Sequence, residues 1–439
     1  MKNDARYKPY PRYKDSGVEW LGEIPEHWTV TRVGENAHLI NGYPFDSARF
    51  DLNNGLPLVR IRDLQNQETE VRYAGPPIPE ARIAEGDIII GMDGDFAVAR
   101  WRGREALLNQ RLCSLRPKAS IAGNFLYYLL GTPLQLINDL THSTTVKHLS
   151  SSQVTKTKFG FPPECEQRAI GEFLDRETAK IDELIAKKER LIELLEEKRA
   201  ALITHAVTRG LNPDVPLRDS GIEWLGQVPA HWQVRKLKSL AQITYGIGGE
   251  LDRLALTGTP IISLPNVTID GRLNLDDVAF TPLGEGEKKE LLLEKGDLLF
   301  NWRNGSSDHV GKTALFSADG EYTNVSFLLR LRFWKSDCDS QYYRRYLNSL
   351  RSTGFFSSTK AGVNNTFNQT ELQNLYVVKP PIEEQQGIAD SIEGDIERVH
   401  TMVAAVLRAI ERLKEYRSAL ITAAVTGKID VRDQVKAAA

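Results

Sequence analysis

The stretch GSSDHVGKT, residues 305–313, ends in the Gly-Lys-Thr of a phosphate-binding loop. Such a loop needs four residues between its first glycine and the Gly-Lys pair, so that successive backbone N–H groups surround a phosphate. Here Gly305 and Gly311 are separated by five, and no acidic strand end stands ready for Mg²⁺. A base methyltransferase would require an Asn/Asp-Pro-Pro-aromatic site. The Pro-Pro pairs at 76–77, 162–163 and 380–381 follow Gly, Phe and Lys, and no aromatic residue follows any of them. No nuclease carboxylate cluster and no Ser/His/Asp constellation is evident. The eight histidines lack metal-ligand spacing, and Cys113, Cys165 and Cys338 form no C-x-x-C pair. The chain is therefore expected to catalyse nothing by itself and to hold no metal and no cofactor. Its lone cysteines fit a reducing cytoplasm.

The most informative spacing is a repeat. DSGVEWLGEIPEHW (Asp15 to Trp28) returns as DSGIEWLGQVPAHW (Asp219 to Trp232), an offset of 204 residues. His27 and His231 occupy equivalent P-x-H-W positions, and a histidine beside a tryptophan reads as a packed or capping residue. Trp20, Trp28, Trp224 and Trp232 read as anchors of each motif to its domain or helix rather than as base-stacking platforms. A second echo joins 161–211 to 379–429 with an offset of 218. The order is motif, spacer, helix, then motif, spacer, helix.

Both late segments open after a Pro-Pro pair and are acidic near the start, as helix N-termini are. Ile170, Leu174, Ile181, Leu184, Leu191, Leu195 and Leu202 keep heptad spacing, interrupted by Lys188 and Lys198; Ile388, Ile392, Val399, Met402, Val406, Ala409, Leu413, Tyr416 and Leu420 keep the same frame. Sustained heptads predict coiled-coil packing with this seam buried. If a two-fold axis relates the halves, the helices run antiparallel and the C-terminal helix end lies near Asp15. Residues 164–199 and 383–417 each carry a net charge of −3, whereas the whole chain carries −2. The spacers thus lean basic, which suits DNA. No apolar run is long enough to cross a membrane, and the N-terminal residues lack the apolar core of a signal peptide.

Each spacer reads as α+β. GDIIIGMDGDFAVARW (86–101) predicts two strands around a turn at Asp93-Gly94, 109–117 a third, and 124–140 a helix broken at Gly131-Thr132-Pro133. Residues 296–316, 324–334 and 340–350 repeat the order. Across the copies PLVRIRDL (57–64) faces PIISLPNV (260–267), NGYPF (41–45) faces YGIGG (245–249), and STTVKHLSSSQV (143–154) faces AGVNNTFNQTEL (361–372). The frame is kept while the surface changes.

The D-S-G-[VI]-E-W-L-G-x-[IV]-P-x-H-W motif, the P-P-x-x-E-Q helix start and the A-L-I-T-x-A-V-T-G end resemble the specificity subunit of type I restriction-modification enzymes, over almost the whole chain and twice. Arg209 departs from this pattern where the second copy has Gly427, and Gln386 replaces Arg168. The resemblance implies an α+β fold: two pseudo-two-fold-related target-recognition domains separated by an antiparallel pair of long coiled-coil helices. The expected boundaries are 1–161 and 219–379 for the recognition domains, 162–208 and 380–426 for the helices, 209–218 for a linker and 427–439 for a tail. It further implies double-stranded DNA as ligand, with one half of an asymmetric bipartite target read by each domain. Two methyltransferase subunits using S-adenosylmethionine and two restriction subunits using ATP and Mg²⁺ would be its partners. Base edges are distinguished by Arg, Lys, Asn and Gln, so such residues in the divergent loops are the candidate readers. They are Arg60, Arg62, Asn109, Arg111, Lys147 and His148 in the first half, and Asn266, Arg303, Asn304, Lys360, Asn364 and Asn365 in the second. Arg60, Arg62, Asn364 and Asn365 lead, because they cluster and lack counterparts. The competing readings are a nucleic-acid- or protein-binding scaffold without sequence specificity and an enzyme with a disguised site.

Overall fold

In a computed structural model the residues described are 7–64, 69–76, 78–140, 147–248, 257–303, 309–334, 336–358 and 366–436. The chain forms two compact units, Met1–Lys188 with Arg408–Ala439 and Glu189–Leu407.

In the first unit, β1 (Thr29–Arg32), β2 (Ala37–Asn41), β3 (Leu56–Val59), β4 (Ile88–Gly91), β5 (Val98–Arg100), β6 (Ala106–Leu108), β7 (Leu112–Pro117) and β8 (Lys158–Phe161) are joined by α1 (Gly123–Leu140) and α2 (Ser151–Lys156), and α3 (Glu164–Arg209) follows. The central sheet is antiparallel in the order β2-β7-β4-β5. Successive strand side chains face opposite ways, and β4 is apolar on both faces. Ile88 and Ile90 pack with Phe125, Leu126 and Leu129 of α1, while Ile89 packs with Val59, Leu108 and Trp101 on the other side. The hairpin expected around Asp93-Gly94 is present, with β5 paired to β4. One expectation fails: α1 is a single helix that runs through Gly131 and Pro133. Proline removes one backbone donor from a helix interior, but Leu129, Leu130 and Leu134 around it are buried in the core, and their burial holds the helix together.

The second unit repeats this design. Its elements include β9 (Gln233–Lys236), β10 (Ala241–Tyr245), β11 (Thr259–Ile262), β12 (Leu298–Asn301), β13 (Thr313–Leu315), β14 (Thr323–Asn324), β15 (Leu328–Phe333), α4 (Ser340–Ser352), α5 (Gln369–Asn374), β16 (Tyr376–Lys379) and the first part of α6 (Ile382–Val425). Its sheet order, β10-β15-β12-β13, matches that of the first unit. Leu298 and Phe300 face α4, and Leu299 faces the smaller sheet. Gly42 and Gly246 mark the same close approach in the two units. A Cβ on Gly42 would stand 1.9 Å from the Asn109 carbonyl oxygen, and one on Gly246 2.0 Å from that of Asn324.

The sequence repeat and the compact unit are not the same object. The first unit packs the beginning of α3 (Ile170, Phe173, Leu174) with the end of α6 (Leu420, Ala424, Val425). In the second, the end of α3 (Ala206, Val207) shares a core with the beginning of α6 (Ile388, Ile392, Ile396). Within each unit the helices are therefore antiparallel, and in the first Arg417 bridges to Asp182 at 2.9 Å. The C-terminal helix end meets the N-terminal segment: Asp430 N donates to Lys8 O at 2.7 Å, and Lys428 Nζ to Glu23 O at 2.6 Å.

The seam is only partly buried. Ile170, Leu174, Ile181, Ile388, Ile392, Val399 and Leu420 are buried, whereas Leu184, Leu191, Leu202 and Met402 are exposed. A heptad pattern marks a face, but a single partner helix covers only a narrow stripe of it. All of the buried members except Val399 also belong to a domain core.

Candidate nucleic-acid interface

The duplicated motif is the frame on which the interface stands. In the first unit Trp28 Nε1 donates to Glu166 at 3.0 Å, and His27 Nε2 lies 2.7 Å from the same carboxylate. In the second, Trp232 Nε1 donates to Glu384 at 2.9 Å, with His231 Nε2 at 2.6 Å. Both carboxylates sit in the first turn of a long helix, where the helix dipole favours negative charge. The next residue completes the clamp. Gln167 donates to Pro162 O at 2.9 Å and accepts from Ala122 N; Gln385 donates to Pro380 O at 2.8 Å and accepts from Asp339 N. The histidines and these two tryptophans thus orient helices, as their sequence context predicts. The Arg209 departure also resolves, because the left-handed cap moves by one residue to Gly210 (φ +82°), opposite Gly427 (φ +71°). Gly210 lies against Trp232 and Gly427 against Trp28, where α3 and α6 end.

The frame beyond the clamp is matched bond for bond. Leu149 N donates to Met92 O at 2.7 Å, and Phe367 N to Trp302 O at 2.8 Å. Met92 N donates to Arg111 O, and Trp302 N to Phe327 O. Asp93 bridges to His148, and Arg303 to Thr366. Capping boxes open the following short helices, Ser150 with Gln153 before α2 and Asn368 with Glu371 before α5. These bonds align Met92, Asp93, Arg111 and His148 with Trp302, Arg303, Phe327 and Thr366. The main chain repeats while the side chains change class, Asp93 to Arg303 included.

In the first unit three candidates gather at the Asp93-Gly94 turn. Arg111 pairs with Asp93, whose other oxygen is 2.8 Å from His148 Nδ1. Desolvation pushes the Asp93 carboxyl up, but the hydrogen bonds from His148 and Arg111 outweigh it and hold it below the usual carboxylate range. Lys147 Nζ donates to the Asn138 carbonyl at 2.8 Å, and its own carbonyl accepts from Gly94 N. Arg111 is one of two non-glycine residues with positive φ (72°) among those described, a conformation costing roughly 1–2 kcal/mol. The other candidates lie apart. Arg60 is half-buried, its guanidinium on Asp63 (3.1 Å) and Glu70 (3.2 Å), where it closes a short 3₁₀ turn. Arg62 is exposed, with no hydrogen bond or ion pair among the described residues. The Asn109 side chain accepts from the Gln110 backbone at 2.7 Å.

In the second unit Asn266 takes the place of Asp63. It is buried, accepts from Ser263 N at 2.8 Å and donates to the carbonyls of Asn274 and Asp277, so it holds a loop closed and presents nothing to a ligand. Arg303 is exposed. Asn304, Lys360, Asn364 and Asn365 lie outside the described residues. Lys312, of the stretch resembling a phosphate loop, is buried and donates to Val267 O at 2.7 Å. Desolvation and the nearby Arg351 charge lower its pKa. Sequence reasoning passed over Tyr245, Trp302 and Phe327, which stand on this rim; the facing of NGYPF with YGIGG already placed Tyr245 opposite Asn41.

The family model for the type I restriction modification DNA specificity domain matches this chain twice, over residues 25–194 and 229–398. The chain belongs to that family. Each match begins within the clamp motif and ends inside a long helix, so this specificity protein carries two copies of the family's domain. It is 27% identical over 428 residues to the EcoBI specificity subunit of Escherichia coli, covering 94% of this chain and 89% of the relative. It is 23% identical to the EcoKI specificity subunit of Escherichia coli strain K12, with 93% and 90% covered. Among solved structures, a chain from work on complex assembly and conformational transition of the type I R-M system superposes with a TM-score of 0.68 at 17% identity, covering 92% of this chain and 99% of the other. The HsdS subunit from Thermoanaerobacter tengcongensis gives 0.52 at 17% identity, with 92% and 98% covered. These two likenesses concern the fold. Among the described residues no helix is long and apolar enough to cross a membrane.

Proposed function

We propose that this chain reads an asymmetric, bipartite DNA sequence, one half-site per unit, and brings type I methyltransferase and ATP-dependent restriction subunits to it in the cytoplasm. The observation that carries the reading is the matched frame: the same backbone bonds hold Asp93, Arg111 and His148 in one unit and Arg303, Phe327 and Thr366 in the other. A scaffold without sequence preference has no use for two rims of different chemistry on one frame. The chain is a recognition subunit and not a catalytic one. S-adenosylmethionine, ATP and Mg²⁺ belong to its partners, taken as two methyltransferase and two restriction subunits. The exposed Leu184, Leu191, Leu194 and Leu202 on α3, with Met402 and Leu407 on α6, are apolar surface that bound methyltransferases would cover. Two recognition domains, 1–161 and 219–379, are served by the helices 162–208 and 380–426, with 209–218 as linker and 427–439 as tail.

Methylation mapping across the genome of a host that expresses the chain with its methyltransferase tests this reading. One bipartite motif with two unlike halves is expected. Methylation without a motif, or a motif with a single continuous core, would refute it.

A further inference from the structure

The rim of the second unit is aromatic where that of the first carries Asn41, Met92 and Arg111. Strand β2 ends at Asn41, whose Oδ1 accepts from Ser151 Oγ at 2.6 Å. Strand β10 ends at Tyr245, whose hydroxyl accepts from Gln369 N at 3.4 Å. Arg111 has Phe327 as its counterpart, and Met92 has Trp302. The Trp302 ring lies 5.6 Å from Tyr245, edge-on, and 6.5 Å from Phe327, nearly parallel. Its indole N–H is taken up by Ser326 O at 2.7 Å, which leaves its apolar surface to its neighbours. Tyr245 is 39% exposed and Phe327 44%. Arg303, exposed, follows Trp302 directly.

Exposed rings beside an exposed arginine, on the rim that the first unit fills with Arg111 and His148, ask for a ligand that is apolar at one point and polar around it. A major-groove edge offers one apolar group, the C5-methyl of thymine; its other features are hydrogen-bond donors and acceptors. Phe327 has no donor or acceptor in its side chain, so the attractive contact it can offer a major-groove edge is with that methyl group. A guanidinium at the same place suits guanine.

Resting on the reading of one half-site per unit, we infer that Phe327, backed by Trp302 and Tyr245, recognises an A·T pair in the half-site of the second unit through the thymine methyl. Arg111 at the equivalent place gives the first half-site a polar reader instead.

The test uses the full chain with its methyltransferase and duplexes carrying the mapped target. Each thymine of the second half-site is replaced in turn by deoxyuridine, which lacks the C5-methyl. One replacement is expected to weaken binding about fourfold, the value of roughly 0.8 kcal/mol for one buried methyl-sized group. Phe327→Ala should bind more weakly and lose sensitivity to that replacement, while Phe327→Leu should keep it. Phe327 is exposed, so both variants are expected to fold, which thermal melting checks. A second half-site without an A·T pair, no deoxyuridine penalty, or an undiminished penalty in Phe327→Ala overturns the inference. So does a Phe327→Ala variant that loses only its methyltransferase, which would make the rim a protein contact. Specific binding of a bipartite duplex with no deoxyuridine effect sinks this inference alone; absence of any specific binding sinks the proposed function with it.

Discussion

Trp28 donates its indole N–H to Glu166 at 3.0 Å, across 138 positions of sequence. The same carboxylate accepts from the Tyr10 hydroxyl at 3.2 Å and pairs with Arg432 at 3.5 Å. The equivalent carboxylate, Glu384, has only His231 and Trp232 as side-chain partners among the described residues. The Glu166 side chain is 6% exposed and that of Glu384 40%. Removing an acceptor from buried donors leaves them unsatisfied, at about 1–3 kcal/mol. Glu166→Ala should therefore fall toward the upper end of that range, and Glu384→Ala toward the lower. Urea denaturation of the two variants measures both. Equal losses would mean that the terminal segments add nothing to the first clamp.

Leu184 and Leu174 share a heptad frame but not a fate. Leu174 is buried in the first core, while Leu184 is 44% exposed. Leu174→Ala should cost about 2–5 kcal/mol, as buried leucine truncations do. Leu184→Asp should shift the stability of the chain alone by about 0.5 kcal/mol or less. Its effect should appear in co-purification with the methyltransferase, which the added charge is expected to reduce. A large thermal shift in isolated Leu184→Asp would restore the fully buried seam.

That contrast shows what the sequence made legible. Order of elements, helix starts and the two clamps followed from Pro-Pro pairs, periodicity and the repeated P-x-H-W. Periodicity reports which residues share a face, and it is silent on what covers the face, so the heptads predict burial of Leu184 and Met402 that the fold does not provide. Residue type and divergence between the copies make Arg60 and Asn266 candidate readers, but neither criterion weighs local turn closure. The Arg60-x-x-Asp63 and Ser263-x-x-Asn266 spacings, which close short turns, carried the structural signal. The aromatic rim was hidden for another reason. The shared Gly-Asp of 86–87 and 296–297 sets Trp302 opposite Met92, but the bonds from Met92 N to Arg111 O and from Trp302 N to Phe327 O, which set Phe327 opposite Arg111, are announced by no residue type.

Asp93 gives the first rim a pH dependence whose sign can be worked out. Its folded pKa lies below the unfolded value, because the hydrogen bonds from His148 and Arg111 outweigh desolvation. A depressed carboxylate stabilises the fold above its unfolded pKa, about 3.9, and the contribution is lost as pH falls through the lower folded value. Asp93→Asn should be less stable than the parent at neutral pH, and the gap should narrow as pH falls below about 4. Paired melting curves across that window check it; a gap that widens in acid would show that Asp93 is not held as a carboxylate.

Arg60 and Arg62 should part company on mutation. Arg60→Ala strips the buried Asp63 of its ion pair, with an expected loss of about 1–3 kcal/mol in stability. Arg62→Ala removes no hydrogen bond or ion pair among the described residues and should melt with the parent. Its consequence is expected in DNA binding. A base reader costs about 1–3 kcal/mol and relaxes one target position, whereas a phosphate contact weakens all sequences alike. Competition binding with single-position target variants separates these, and unchanged affinity for every duplex would remove Arg62 from the interface.

Exchange of residues 30–160 for those of a family member with a different target is the decisive domain test. The cut points are neighbours in space, since β1 pairs with β8 and Val30 lies opposite Gly160. The clamp of His27, Trp28, Glu166 and Gln167 stays outside the exchanged segment, so Glu166 keeps both its partners and Gln167 keeps Pro162, while the bond from Ala122 N has to be supplied by the incoming main chain. The segment carries the rim of Asp93, Arg111 and His148 entire and leaves that of Trp302, Arg303 and Phe327 untouched. Methylation mapping of the chimera should show a new first half-site beside the original second half-site. If both halves changed, or neither, the assignment of one unit to one half-site would fail, because the exchanged rim would then not be the reader of a single half.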